Sequence, residues 1–151
     1  MGCDIHLVLE QKHNGKWIGL REVSHTIEFR KDPEDGKWQQ HYIWCNARRR
    51  NYDLFARLAG VRGDGPDAKG VPEDASELSR MLFEHWGADG HSHSYCTLDE
   101  YMVALAGTED NPAEVFLGPD HPAIKHPHQY YFGVYEPEDG EEYRVVFCFD
   151  N

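Results

Sequence analysis

Two short stretches of this chain carry donor side chains at the spacing of a metal clamp. Near the start Asp4 and His6 flank Ile5, and much further along His91 and His93 flank Ser92. Side chains two apart in an extended strand point the same way, so Asp4 and His6 present two donors to one side, and His91-Ser92-His93 is a second clamp of similar form. Imidazole nitrogen and carboxylate oxygen suit zinc, and a catalytic zinc uses about three protein donors with one position left for water. If the two pairs meet, Asp4, His6, His91 and His93 form such a centre, with a divalent metal, zinc by its donor chemistry, as cofactor. Its bound water would lose a proton near pH ~7 and attack as hydroxide. Asp150, at the far end of the chain, is the candidate to orient a ligand imidazole or act as general base, and Asn51 joins it as a candidate catalytic side chain. Arg48 and Arg50 are candidates to bind substrate, because a guanidinium makes bidentate contacts to phosphate.

Each group also has a plain structural reading. Asp4 and His6 suit a hydrogen-bonded tie between a strand and a loop, and short motifs of this kind are weak signals. His91 to Ser94 suits a polar loop in which Ser94 or Thr97 caps the next helix. The arginines before Asn51 suit a solvated helix start. His121, His126 and His128 alternate with prolines and read as solvated loop. Cys3 and Cys148 alternate with apolar residues and read as buried thiols.

The elements that must position these residues follow from periodicity. Ile5, Leu7 and Leu9 alternate with Asp4, His6, Val8 and Glu10, which predicts a strand. Asn14-Gly15 is the dipeptide of a two-residue hairpin, with Trp17 to Leu20 returning. Val23 to Arg30 and Trp38 to Trp44 read as two further strands about the turn Asp32-Pro33-Glu34-Asp35-Gly36. Helical spacing takes over between Arg48 and Gly60, with Leu54, Phe55 and Leu58 on one face, Asn51 or Asp53 as cap and Gly60 as terminator. After a Gly/Asp/Pro-rich loop, Leu78, Met81, Leu82 and His85 predict a second helix over about Ala75 to Trp86, capped by Asp74 or Ser76. Thr97-Leu98-Asp99-Glu100 has the form of a capping box for a third helix that ends at Gly107. The His91–His93 pair therefore sits on the approach to a helix N-terminus. A Pro/His-rich connection leads to strands at Tyr130–Tyr135 and Tyr143–Phe149. Residues 1–151 thus read as a single α+β domain: an antiparallel sheet of two or more hairpins, from N- and C-terminal strands, with about three helices packed largely on one face. If the first and last strands pair antiparallel, Asp150 falls beside Asp4 and His6.

Composition narrows the function. The chain of 151 residues has 27 acidic against 15 basic side chains, a net charge of -12 that opposes binding to a nucleic-acid duplex but permits a small anionic ligand held locally. Four widely spaced cysteines without a Cys-x-x-Cys suggest neither a zinc ribbon nor a disulfide framework. No apolar run reaches membrane-spanning length and no secretory signal opens the chain, so a soluble cytoplasmic protein is expected, with no membrane partner. Nothing in the motifs encodes an oligomeric state.

Several blocks of wording resemble a family of bacteriophage and prophage proteins of no established activity. They are Met1-Gly2-Cys3-Asp4-Ile5-His6, Arg50-Asn51-Tyr52-Asp53-Leu54-Phe55 with Leu58-Ala59-Gly60-Val61-Arg62, His91-Ser92-His93-Ser94, and Tyr143 to Asn151. The resemblance implies a phage-encoded protein acting inside a bacterial host cell and transfers no catalytic residue. The functional expectation is a metal-dependent hydrolase of a phosphoester or nucleotide-like small molecule. Its rivals are an acidic interaction protein that binds and inhibits a host protein, and a protein that sequesters a small nucleotide without turnover.

Overall fold

The computed structural model describes residues 2–23, 27–42, 50–108 and 142–151. Strand β1 (Asp4–His13) turns through Asn14-Gly15 and returns as β2 (Lys16–Val23). Asn14 and Gly15 both have positive φ, 50° and 77°, the left-handed pair that lets a two-residue turn match the twist of its strands. A second hairpin, β3 (Ile27–Lys31) with β4 (Trp38–Tyr42), makes its own two-stranded sheet. Helices α1 (Tyr52–Ala59) and α2 (Glu77–Trp86) follow, then β5 (Gly90–Thr97), α3 (Leu98–Ala106) and β6 (Tyr143–Asp150). Arg48, the loop histidines His121, His126 and His128, and the strand expected at Tyr130–Tyr135 lie outside the described residues.

Capping chemistry sets the helix ends. Asn51 Oδ1 accepts from Leu54 N at the start of α1, and Gly60 closes it in the left-handed conformation, φ 66°. Ser76 caps α2 through Ser79 N. At α3 both halves of the capping box form: Thr97 Oγ1 accepts from Glu100 N, and Glu100 Oε1 accepts from Thr97 N. No helix among the described residues is long and apolar enough to cross a membrane.

The main sheet has the order β2-β1-β6-β5, with every neighbouring pair antiparallel, so the fold is α+β. The two inner strands, β1 and β6, are buried on both faces, and the two faces differ in chemistry. Cys3, just before β1, and Ile5, Leu7 and Leu9 of β1 join Val145, Phe147 and Phe149 of β6 under Leu54, Phe55 and Leu58 of α1 and Leu98, Tyr101 and Leu105 of α3. This is the principal core. On the other face, among the described residues, Val8, Leu78 and Leu82 form a smaller buried apolar cluster, edged by Met81 and Trp86 of α2. Among the described residues, two helices thus share one face and α2 packs on the other. Helix α2 comes close to β2 at Gly19, where a Cβ would lie 2.5 Å from that of Leu78.

Polar side chains fill the remainder of the α2 face. Glu10 is fully buried and accepts from Ser76 N at 2.7 Å, Ser79 Oγ at 2.7 Å and Arg144 Nε. Arg144, its partner across the β1–β6 ladder, also donates to Asp74 Oδ1 at 2.9 Å and to the Asp74 carbonyl at 3.2 Å. A buried ion pair is bound by strong local attraction but carries a desolvation cost, so removing one member harms more than replacing both. Glu10→Ala should lower the unfolding free energy by about 3–5 kcal/mol, read as a fall in the urea midpoint. The double variant Glu10→Met with Arg144→Met should recover most of that loss.

Candidate functional site

The β1–β6 ladder pairs Asp4 with Asp150 and His6 with Cys148, which brings the chain's first donors to its last acid as the sequence suggested. His6 is 1 % exposed, and its Nε2 lies 2.8 Å from Asp150 Oδ1. The carboxylate accepts, so Nε2 carries the proton and Nδ1 keeps a bare lone pair. That Nδ1 is buried and has no hydrogen-bond partner. The ring stacks on Trp86, the last residue of α2, with centroids 3.9 Å apart and planes at 23°. Burial pulls the His6 pKa below its ordinary value, and this outweighs the hydrogen bond and charge of Asp150, which push it up. The imidazole is therefore neutral near pH ~7. The arrangement is an oriented base with one nitrogen fixed and the other unoccupied.

Asp4 is engaged elsewhere. Arg50 Nε donates to Asp4 Oδ1 at 2.8 Å and Nη2 to Oδ2 at 3.2 Å, a two-point contact at the partly exposed rim beside the dyad. Gly2 leaves room for it, since a Cβ there would collide with the Arg50 guanidinium. Nearby, the Cys3 backbone N–H donates to Tyr52 Oη at 3.3 Å, and burial raises the Cys3 thiol, so this cysteine is an inert core group.

The second donor pair is split. Residues 90–97 form an edge strand rather than a loop, and its register slips between His91 and Ser94: these two face Phe149 and Phe147, with Ser92 and His93 bulged between them. Ser92 has φ 53°. The extra residue breaks the two-residue rule, which holds only for a regular strand. His91 goes to the α1/α3 face, its ring 6.2 Å from that of Phe149 and its Nδ1 3.0 Å from Ser92 Oγ. His93 goes to the α2 face, edge-on to Phe83 at 4.9 Å, and burial and then His91 lower its pKa. The four expected ligands therefore do not surround one point, because the sheet itself stands between His91 and His6. Among the described residues no group of three or more His, Cys, Asp or Glu side chains is disposed to hold a metal ion.

Asn51 likewise has a structural duty: beyond capping α1, its Nδ2 donates to Thr108 Oγ1 at 3.0 Å in a buried contact. Sequence reasoning missed Trp86 as the cover of His6. Its place at the end of the α2 periodicity, next to Gly87, was the available signal. Comparison of the chain with protein-family models, with curated proteins and with solved structures finds no match in any of the three.

The lowered His6 pKa has a defined effect on stability. An unfolded histidine titrates near 6.5 and folded His6 below it, so between those values the unfolded chain holds the additional proton. The His6 contribution is complete above pH 6.5 and declines as the pH falls through that value toward the folded pKa. Urea midpoints measured between about pH 7.5 and about pH 5.5 should fall with acidification. They should fall less in His6→Gln, the remainder including His93, whose pKa moves the same way.

Proposed function

We propose that the protein is a hydrolase of a small phosphoester or nucleotide-like molecule, with His6 as general base and Asp150 as its positioning residue. The observation that supports this reading is the buried neutral imidazole held at Nε2 by a carboxylate, with Nδ1 bare. A general base needs an unprotonated nitrogen in fixed orientation, and proton transfer from such a group contributes about 10²–10⁴-fold to a rate. In this proposal Nδ1 takes a proton from a water as its oxygen bonds to phosphorus, the ester P–O bond breaks, and the departing alkoxide takes up a proton from the imidazolium, which restores neutral His6. Arg50, half-exposed at the rim, attracts the anionic substrate. Trp86 lies on the face of the ring and holds its plane, and the in-plane lone pair of Nδ1 has to gain access to the reactants. The phage setting suggested by the sequence resemblance belongs to the same proposal.

A divalent cation would here have at most part of the expected donor set, since among the described residues no three such side chains are disposed to hold a metal ion. Asp4, His6 and His93 lie on the α2 face, whereas His91 lies on the opposite one. Asp4 would have to exchange Arg50 for the metal. The test is turnover of p-nitrophenyl phosphate and its diester by the purified protein, alone and with added zinc, magnesium or manganese. Wild-type turnover should drop about 10²-fold or more in His6→Gln, and by a smaller factor in Asp150→Asn, with circular dichroism unchanged. Turnover indifferent to His6→Gln, or none with any of these additions, refutes the proposal.

A further inference from the structure

The Glu10–Arg144 end of the β1–β6 ladder carries a second feature. Along the strands Glu10 lies four residues from His6, about 13 Å, and Arg144 six from Asp150, about 20 Å, so this region is separate from the His6–Asp150 dyad. Here a cleft of about 560 Å³ opens between the ends of β1, β5 and β6 and the first turn of α3. Its volume lies in the range of small-molecule sites. Lys12, Lys69 and Arg144 line it together with Trp17 and Tyr95.

The cations are held on aromatic rings. Arg144 Cζ lies 4.2 Å from the Trp17 centroid and 5.8 Å from that of Tyr95. Lys69 Nζ lies 4.8 Å above Tyr95, and Lys12 Nζ 5.7 Å from Trp17. A cation on a ring face keeps its full charge and its N–H donors for another group. The lining also carries three acids, Asp99, Glu100 and Glu142; Glu100 accepts from Thr97 N at 3.0 Å, and Glu142 meets Lys12 at 3.4 Å in an exposed pair. Exposed pairs of this kind are weak and exchangeable.

The wall is rigid as well as charged. Trp17 is anchored by a hydrogen bond to Asp74 and by the Arg144 guanidinium, which Glu10 and Asp74 hold in turn. A platform fixed before binding gives up little entropy when a ligand arrives. The overall charge of -12 opposes long polyanions, but at a Debye length of about 8 Å it acts weakly on a small anion inside a cleft that carries its own ammonium groups.

We infer that this cleft binds a small phosphorylated heteroaromatic molecule of the nucleotide type, its ring against the Tyr95–Trp17 wall and its phosphate at Lys69 and Lys12. The site is independent of chemistry at His6. Isothermal titration calorimetry on the intact protein with AMP, adenosine and inorganic phosphate tests it, with amide NMR to locate binding. AMP should bind at one site and shift the amides of Lys69, Tyr95 and Thr97 but not that of His6. Adenosine and phosphate should each bind at least about tenfold more weakly, a difference of about 1.4 kcal/mol or more. Lys69→Ala, at an exposed position tolerant of substitution, should weaken AMP by a similar factor. Absence of AMP binding, AMP affinity unchanged in Lys69→Ala, or adenosine binding as tightly as AMP overturns the inference.

Discussion

The antiparallel register of β1 against β6 is the constraint on which the rest depends. Setting Asp4 opposite Asp150 places His6 within reach of that acid, and six residues along it sets Glu10 opposite Arg144. Both polar groupings therefore descend from one alignment. Side chains alternate strictly along a strand, so a slip by one residue would turn Glu10 and His6 into the α1/α3 core and Leu7 and Leu9 toward α2. The buried ion pair makes such a slip costly, and the alternation of apolar residues on the opposite face enforces the same answer.

The two faces of the sheet divide the work of the fold. Under α1 and α3 the packing is aliphatic and aromatic, and hydrophobic burial supplies most of the stability there. Under α2 a few apolar contacts are supplemented by hydrogen-bonded charges. A helix laid over buried ionisable groups must satisfy them, and α2 does so from its first turn, where the Ser76 N–H and the Ser79 hydroxyl both reach Glu10. Its last residue, Trp86, lies flat on an imidazole. The buried acidic and basic side chains among the described residues, His6, Glu10 and Arg144, collect on this side of the sheet.

Much of this was legible in the residues. The Asn14-Gly15 hairpin, the Thr97–Glu100 capping box and the Gly60 terminator follow from local rules, because each depends on neighbours in sequence; the pairing that delivers Asp150 to His6 is a conditional expectation, met by the antiparallel β1–β6 ladder. What was not legible is tertiary in origin. Gly, Ser and His do not favour strands, so residues 90–97 read as a loop until β6 supplied them with an edge to pair with. The bulge that sends His91 and His93 to opposite faces leaves no mark in a single sequence. The Arg50–Asp4 contact joins residues 46 apart, and nothing in either neighbourhood announces it. Periodicity gave α2 an apolar stripe but could not say which side of the sheet that stripe would meet.

The modest apolar footing of α2 bears on how the native state fluctuates. Amides protected by a large shared core exchange only on global unfolding, whereas an element seated on a few buried side chains lifts off in cheaper, partial openings. Helix α2 is such an element, its buried seat being Val8, Leu78 and Leu82. When it detaches, Glu10 and Arg144 gain water, which offsets part of the lost packing, while the layer beneath α1 and α3 stays intact. The same opening carries Trp86 off the face of the His6 imidazole.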